Sequence, residues 1–280
     1  MIDLLRKLFG KKTGAPDLEA ATAHILRTMT ERALPTILLD GAEGEVVVRL
    51  GGVPRLPSAD LWPDRGGRLL PFIAELDLSA LHADGGPDWL PAEGFLHVFY
   101  DAGEQPWGFD PKDRGGLVIV YTRSAADTFI TPAGVETFSP RLLRPRPAVS
   151  YPTPERLGLS EAVQDAYDFD RVWAFQSSDL GKAPEHRVGG YPSPVQGHAM
   201  ELEAELASSG VYMGDASGYA TADADREERA RAEWRLLLQI DSDDDAGMMW
   251  GDVGMLYIWV RETDARRGDF SNAWCVLQCG

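Results

Sequence analysis

Two hydrophobic periods divide the chain. From Pro16 to about Thr36, Leu18, Ala21, Ile25, Met29 and Leu34 recur at roughly helical intervals, so the first 35 residues predict one or two amphipathic helices. Within them MIDLLRKLFGKK, residues 1–12, puts Leu4, Leu5, Leu8 and Phe9 on one helical face, with Arg6, Lys7, Lys11 and Lys12 around it. A segment of that kind packs on its own domain, frays, or lies on an anionic membrane surface. Beyond residue 36 the period shortens. EVVVRLGG is β-branched and closes on paired glycines, a strand entering a turn. GGVPRLPSADLWPDRGG carries Pro54, Pro57 and Pro63, each without a backbone donor and with φ fixed, which predicts an extended, irregular stretch with defined turns. LLPFIAELDLSAL, GFLHVFYD and GLVIVYT then read as sheet strands bounded by Gly, Pro and Asp.

Helical spacing returns over residues 156–175, where Ser160 is a candidate N-cap. It returns again in PVQGHAMELEAELASSG, where Val195, Ala199, Leu202 and Leu206 share a face and the glutamates are expected to point outward, up to Gly210. TADADREERARAEW begins with acids and ends with arginines, the order the helix dipole favours, and runs directly into the strand RLLLQID. WCVLQC is the last strand candidate. Two segments echo each other: PFIAELD (71–77) matches RLLLQID (235–241), and GFLHVFY (94–100) matches GMLYIWV (254–260). Duplication of a strand-loop-strand unit is one reading; chance likeness between short apolar strands is the other. The pattern therefore predicts an α+β, β-rich domain over residues 36–280, mostly antiparallel, behind a helical segment at 1–35.

Composition narrows the function classes. The formal net charge is −17, from 44 acidic and 27 basic residues, and such a field repels phosphate backbones, so nucleic acid is not an expected partner. Over half of the excess lies at residues 201–245, where 13 acids face four arginines, a net of −9. A basic partner is one reading of that stretch and solubility is the other. Cys275 and Cys279 are too few ligands for a structural zinc, no cofactor signature is present, and no apolar run reaches membrane-spanning length or resembles a signal peptide. A reducing, cytoplasmic setting without integral membrane association is the expectation. GxSxG, HExxH, P-loop and GxGxxG motifs are all missing, so no catalytic residue is assigned.

The candidate chemistry gathers in LLLQIDSDDDAGMMWGDVGMLYIWV, residues 236–260. Counted as a calcium loop, Asp241, Asp243, Asp245 and Asp252 fall at positions 1, 3, 5 and 12. Position 6 is Ala246 instead of glycine, position 12 is not Glu, and the flanks are strands, which excludes an EF-hand. Asp241, Asp243 and Asp245 remain candidate ligands of a looser cation site, against the alternative that they bend the backbone between two strands.

Specific words then add to the pattern. GGVPRLP, LWP, LLPFIAELDL, LPAEGFLHVFYD, GGYPSPVQG, LLLQIDSDDDAGMMWGDVGMLYIW and DFSNAWCVLQC occur in an order that resembles the YwqG-like bacterial proteins of unknown function, from about residue 45 onward. Glu75 stands where that first block more often has Gln. The resemblance implies a single α+β, roll-like cytoplasmic domain and supplies no site residues. The expected function is a non-enzymatic module that binds a protein or peptide, a basic one being one option, through loops carrying Trp62, Trp107, Trp250 and Asp252. A divalent-cation-binding protein or cation-dependent hydrolase using residues 241–252 is the alternative.

Overall fold

The computed structural model describes residues 17–126, 132–178 and 183–280; the amphipathic segment 1–12 lies outside the described residues. Tertiary contacts divide the chain into two compact units, Met1–Leu34 with Ser150–Leu180 and Pro35–Val149 with Gly181–Gly280. The helices of six residues or more are α1 (Leu18–Glu31), α2 (Leu78–Ala83), α3 (Phe169–Gln176), α4 (Met200–Ser208) and α5 (Ala224–Glu233). The strands are β1 (Leu34–Leu38), β2 (Val48–Leu50), β3 (Asp64–Arg65), β4 (Arg68–Leu69), β5 (Phe72–Asp77), β6 (Phe95–Tyr100) and β7 (Leu117–Thr122), followed by β8 (Arg141–Leu143), β9 (Arg146–Ser150), β10 (Arg187–Val188), β11 (Trp234–Asp241), β12 (Met255–Arg261) and β13 (Trp274–Gln278).

In the helical unit, Ala21, Ile25 and Met29 recur every four residues along α1 and are buried. Ile25 and Met29 meet Val172 of α3 and Leu157 in a small core of their own. The helix expected after Ser160 is shorter than its pattern, Glu161–Gln164, and α3 follows under a cap in which Asp168 Oδ1 accepts from the Arg171 amide at 3.1 Å. Ser, Thr, Asp and Asn favour that position because the side-chain oxygen satisfies an amide that has no partner within the helix.

The second unit holds two main antiparallel sheets, ordered β13-β12-β11-β10-β1-β9 and β7-β6-β5-β2-β8, and the hairpin β3-β4; none closes into a barrel. The expected β-rich α+β class is therefore what the chain adopts. Alternation along the strands sends Leu76, Leu96, Val98 and Tyr100 from one sheet, and Leu238, Ile240, Leu256 and Ile258 from the other, into one continuous apolar core. The opposite face of the first sheet presents Trp234, Leu236, Trp259, Trp274 and Val276, covered by Met200, Leu202 and Leu206 of α4. Glu201 and Glu203 of α4, expected to face water, are 4% and 3% exposed because this short helix is enclosed on more than one side. Val195 lies outside the helix and is 39% exposed.

The echo between the two halves extends to register. In β5-β6, Glu75 pairs with His97 and Asp77 with Phe95; in β11-β12, Gln239 pairs with Tyr257 and Asp241 with Met255. Register shifts interrupt β5 between Phe72 and Ala74 and β11 between Leu236 and Leu238, the same place in each ladder. The strands beside them, β2 and β10, run into Gly51-Gly52 and Gly189-Gly190, all four at positive φ. RLGGVP and RVGGYP are therefore a third matching pair, and the words themselves were the signal for it. A bulge at one shared position is a built feature of a strand.

Candidate functional site

One cleft of about 610 Å³ opens on the second unit, within the size range of small-molecule and side-chain sites. The residues that argue its chemistry are Arg65, Arg68, Asp101, Glu104, Trp107 and Tyr212. Local sequence explains how they meet. Asp64-Arg65-Gly66-Gly67-Arg68-Leu69 is a two-residue hairpin with both glycines at positive φ, the backbone a tight turn of right-handed twist requires. Arg65 and Arg68 are thereby cross-strand partners. Both guanidinium groups donate to Asp101 Oδ2, at 3.2 and 2.6 Å, while the Glu104 amide donates to Oδ1 at 3.2 Å. Burial raises the pKa of Asp101, but the Arg68, Glu104 and Arg65 donors outweigh it, and the net shift is downward.

The loop after Asp101 is held from several sides. Tyr100 Oη donates to the Pro106 carbonyl at 2.8 Å, Trp274 Nε1 to the Gly108 carbonyl at 2.8 Å, the Leu277 amide to the Trp107 carbonyl at 3.0 Å, and the Met213 amide to the Phe109 carbonyl at 2.7 Å. Asp113 Oδ2 accepts from the Gly108 amide at 2.8 Å. At Gly108, φ is +84° and a Cβ would stand 1.9 Å from the Cys275 carbonyl oxygen, so no other residue fits. Gln105 sits at φ +44°, a left-handed conformation uncommon outside glycine, and its amide bridges two backbone groups: Nε2 donates to the Met249 carbonyl at 3.0 Å and Oε1 accepts from the Gly251 amide at 2.8 Å. The result is a rigid backbone carrying Trp107 at 42% exposure, in a cleft that also holds Tyr212 at 51%.

Of the site residues expected from the sequence, Trp107 and Asp252 are exposed, and Trp107 lines the cleft. Trp62 and Trp250 are not rim aromatics: they are 7% and 0% exposed. Trp62 stacks edge-on against Phe99 at 5.2 Å and donates its indole N–H to the Leu70 carbonyl at 2.9 Å. Trp250 packs edge-on against Tyr100 at 5.6 Å and Phe138 at 5.9 Å. An indole in a loop found its partner in the core, which a linear pattern does not reveal. Arg65, Arg68, Asp101, Glu104 and Tyr212 went unassigned because each is an ordinary turn residue alone; RGGR was the one local clue to the first two.

The aspartates of residues 241–245 have separate partners. Asp241 Oδ2 accepts from the Glu185 amide at 2.8 Å, and the Asp241 amide donates to His186 Nδ1 at 3.1 Å. That leaves His186 Nε2 as the protonated nitrogen, donating to Asp243 Oδ2 at 3.0 Å, an assignment that follows from the network. Arg141 Nη1 also donates to Asp243 Oδ2, and the Ala246 amide donates to Oδ1 at 3.1 Å. Burial opposes ionisation of Asp243, yet His186, the Ala246 amide and Arg141 together bring its pKa down to about 2. Asp243 and Met248 exchange both backbone hydrogen bonds across the turn, and the Asp245 side chain is 84% exposed. Among the described residues no three His, Cys, Asp or Glu side chains are grouped to hold a metal ion.

Outward from each bulged ladder lies a buried polar centre. In the first, Glu75 takes the Arg55 amide at 2.9 Å and Arg55 Nε at 2.6 Å, and His97 lies between Glu75 Oε2, 3.1 Å away, and Thr122 Oγ1, 2.9 Å away. Burial raises the Glu75 pKa, but His97 and Arg55 bring it down to about 2. In the second, Gln239 Oε1 accepts from the Ser193 amide at 2.9 Å, Gln239 Nε2 donates to the Glu185 carbonyl at 3.0 Å, and Tyr257 Oη donates to the Ser193 carbonyl at 2.6 Å. Arg55 and Ser193 occupy the same place, four residues beyond the first glycine of RLGGVP and RVGGYP.

A family model covers residues 48–279, the greater part of the chain and nearly all of the second unit. The chain belongs to the DUF1963 family, a domain of unknown function. No curated protein matches it. Among the described residues no helix is long and apolar enough to cross a membrane.

Proposed function

We propose that the second unit is a non-enzymatic binding module that takes a protein segment carrying a Lys or Arg side chain into the cleft at Trp107. The order of sequence blocks supports placing it with the YwqG-like proteins, and a cytoplasmic setting accords with its two buried, unpaired cysteines. The observation that carries the reading is the pairing of a half-exposed tryptophan, on a loop fixed by four backbone acceptors, with a cleft whose charged lining is acidic. Asp101, Glu104, Asp110 and Asp113 face two arginines there, a net of −2. Arg65 and Arg68 are already engaged by Asp101, which leaves exposed Glu104 to meet an incoming cation. Trp107 and Tyr212 offer flat apolar faces on which an alkyl stem or guanidinium stacks. Because the loop is held before binding, little ordering entropy opposes association.

The test is a fluorescence-anisotropy screen of labelled peptides of graded charge, basic, neutral and acidic, each with apolar flanks. Basic peptides should bind, more weakly at high salt, and Trp107→Ala should weaken them tenfold or more, about 1.4 kcal/mol, without lowering the melting temperature. Absence of binding by every basic peptide, or affinity indifferent to Trp107→Ala, rejects the reading.

A further inference from the structure

The helical unit carries an aromatic surface of its own. Phe169 and Trp173 lie one turn apart on α3 and stack at 6.4 Å with their planes 8° apart. They are 63% and 56% exposed, while Val172 between them is buried. The first turn of α1 is fastened beside them: Arg171 Nη1 donates to both carboxylate oxygens of Glu19 at 2.9 Å, and the Asp168 amide donates to Thr22 Oγ1 at 2.9 Å. Leu18, in that first turn, is 55% exposed. An apolar group of this kind on a helix pair usually marks an interaction surface.

We propose that this surface is the docking site of the chain's own residues 4–12. Position, pattern and charge select that occupant. The segment is joined at Asp17, the residue before Leu18, through Thr13-Gly14-Ala15-Pro16, four residues that span about 14 Å when extended. Its sequence provides an apolar face of Leu4, Leu5, Leu8 and Phe9 to meet Phe169, Trp173 and Leu18. Residues 1–12 carry four basic side chains and Asp3, a net of +3; the surface is bordered by Asp17, Glu19, Asp168 and Asp170 against Arg171, a net of −3. Those same acids repel an anionic bilayer, which sets this surface apart from a membrane-seating one. A short tether gives an effective concentration of order 1 mM, so an intrinsic dissociation constant of about 0.1 mM keeps roughly nine chains in ten docked.

Hydrogen–deuterium exchange on the full chain tests this. Amides of residues 4–9 should exchange about tenfold more slowly than in a free peptide of residues 1–16, the factor that the roughly ten-to-one docked population implies. The protection should vanish in F169S/W173S, whose changed side chains are exposed and leave the melting temperature in place. It should also vanish in K11E/K12E, whose changed positions lie outside the described residues, and fade in about 1 M NaCl as screening shortens to about 3 Å. Free-peptide exchange rates in the native chain overturn the proposal. So does protection that survives both variants, or that rises with protein concentration, which would make a second copy the occupant. Stronger sedimentation of the native chain than of F169S/W173S with phosphatidylserine vesicles would make the occupant a membrane instead.

Discussion

The two bulged ladders share strand order, register and flanking glycine pairs, but they set different polar groups at the same two positions of a buried sheet face, and the second also buries Arg187 beside Gln239. The β5-β6 ladder uses charge: a carboxylate, an arginine and a histidine, with Glu75 and His97 2% and 0% exposed. The β11-β12 ladder, at the same positions, uses a neutral amide and a phenol, Gln239 and Tyr257, both 0% exposed. In each, the residue on the central strand accepts from the amide of the extended segment after the paired glycines. The shared task is therefore to fasten that segment to the sheet. Charge is one answer to it, and its cost is desolvation that only good partners offset.

This contrast can be broken most severely at Glu75. Replacing it in E75Q removes the charge and one of the two acceptor oxygens that the Arg55 amide, Arg55 Nε and His97 share, and should cost about 3 kcal/mol, the low end for breaking a buried pair because Arg55 can turn toward water. Urea unfolding measures it, and a loss below about 1 kcal/mol would mean that the neutral solution serves both ladders equally. Acid sharpens the same point. Glu75 and Asp243 are held at about 2 in the folded chain, against ordinary values of 4.5 and 3.8. Their contribution is complete above about pH 4.5 and is lost as pH falls toward 2. Melting temperature should drop across that window, and less steeply in E75Q than in the native chain. The reverse exchange, Q239E, keeps the Ser193 acceptor but sets a carboxylate oxygen against the Glu185 carbonyl; a loss of about 1–3 kcal/mol is expected. Smallest is Y257F, which removes one hydrogen bond to the Ser193 carbonyl and should cost about 1 kcal/mol.

Much of this fold could be read from the linear pattern, because β5, β6, β11 and β12 alternate cleanly and each lies against the common core. Helix α5 was visible from its acid-to-arginine gradient and takes its cap from Asp223, which accepts from the Arg226 amide at 2.8 Å. The cleft was far less legible. Arg65 and Asp101 are 36 residues apart, and their meeting depends on a hairpin lying against the end of another strand. Trp107 and Trp250 both fall in loops rich in Gly and Asp, yet one is 42% exposed and the other 0%, a difference decided by which tertiary partner waits at each place. Periodicity reports the face of a strand or helix; it carries no such information for a residue between them.

The bond from the Leu277 amide to the Trp107 carbonyl has a second meaning. Strand β13 is the margin of its sheet, with an open row of backbone donors and acceptors that invites another strand. The loop that displays the tryptophan occupies part of that row. Pulling the loop outward would uncover an adhesive border, so the bond that steadies Trp107 also keeps the protein's own seam closed.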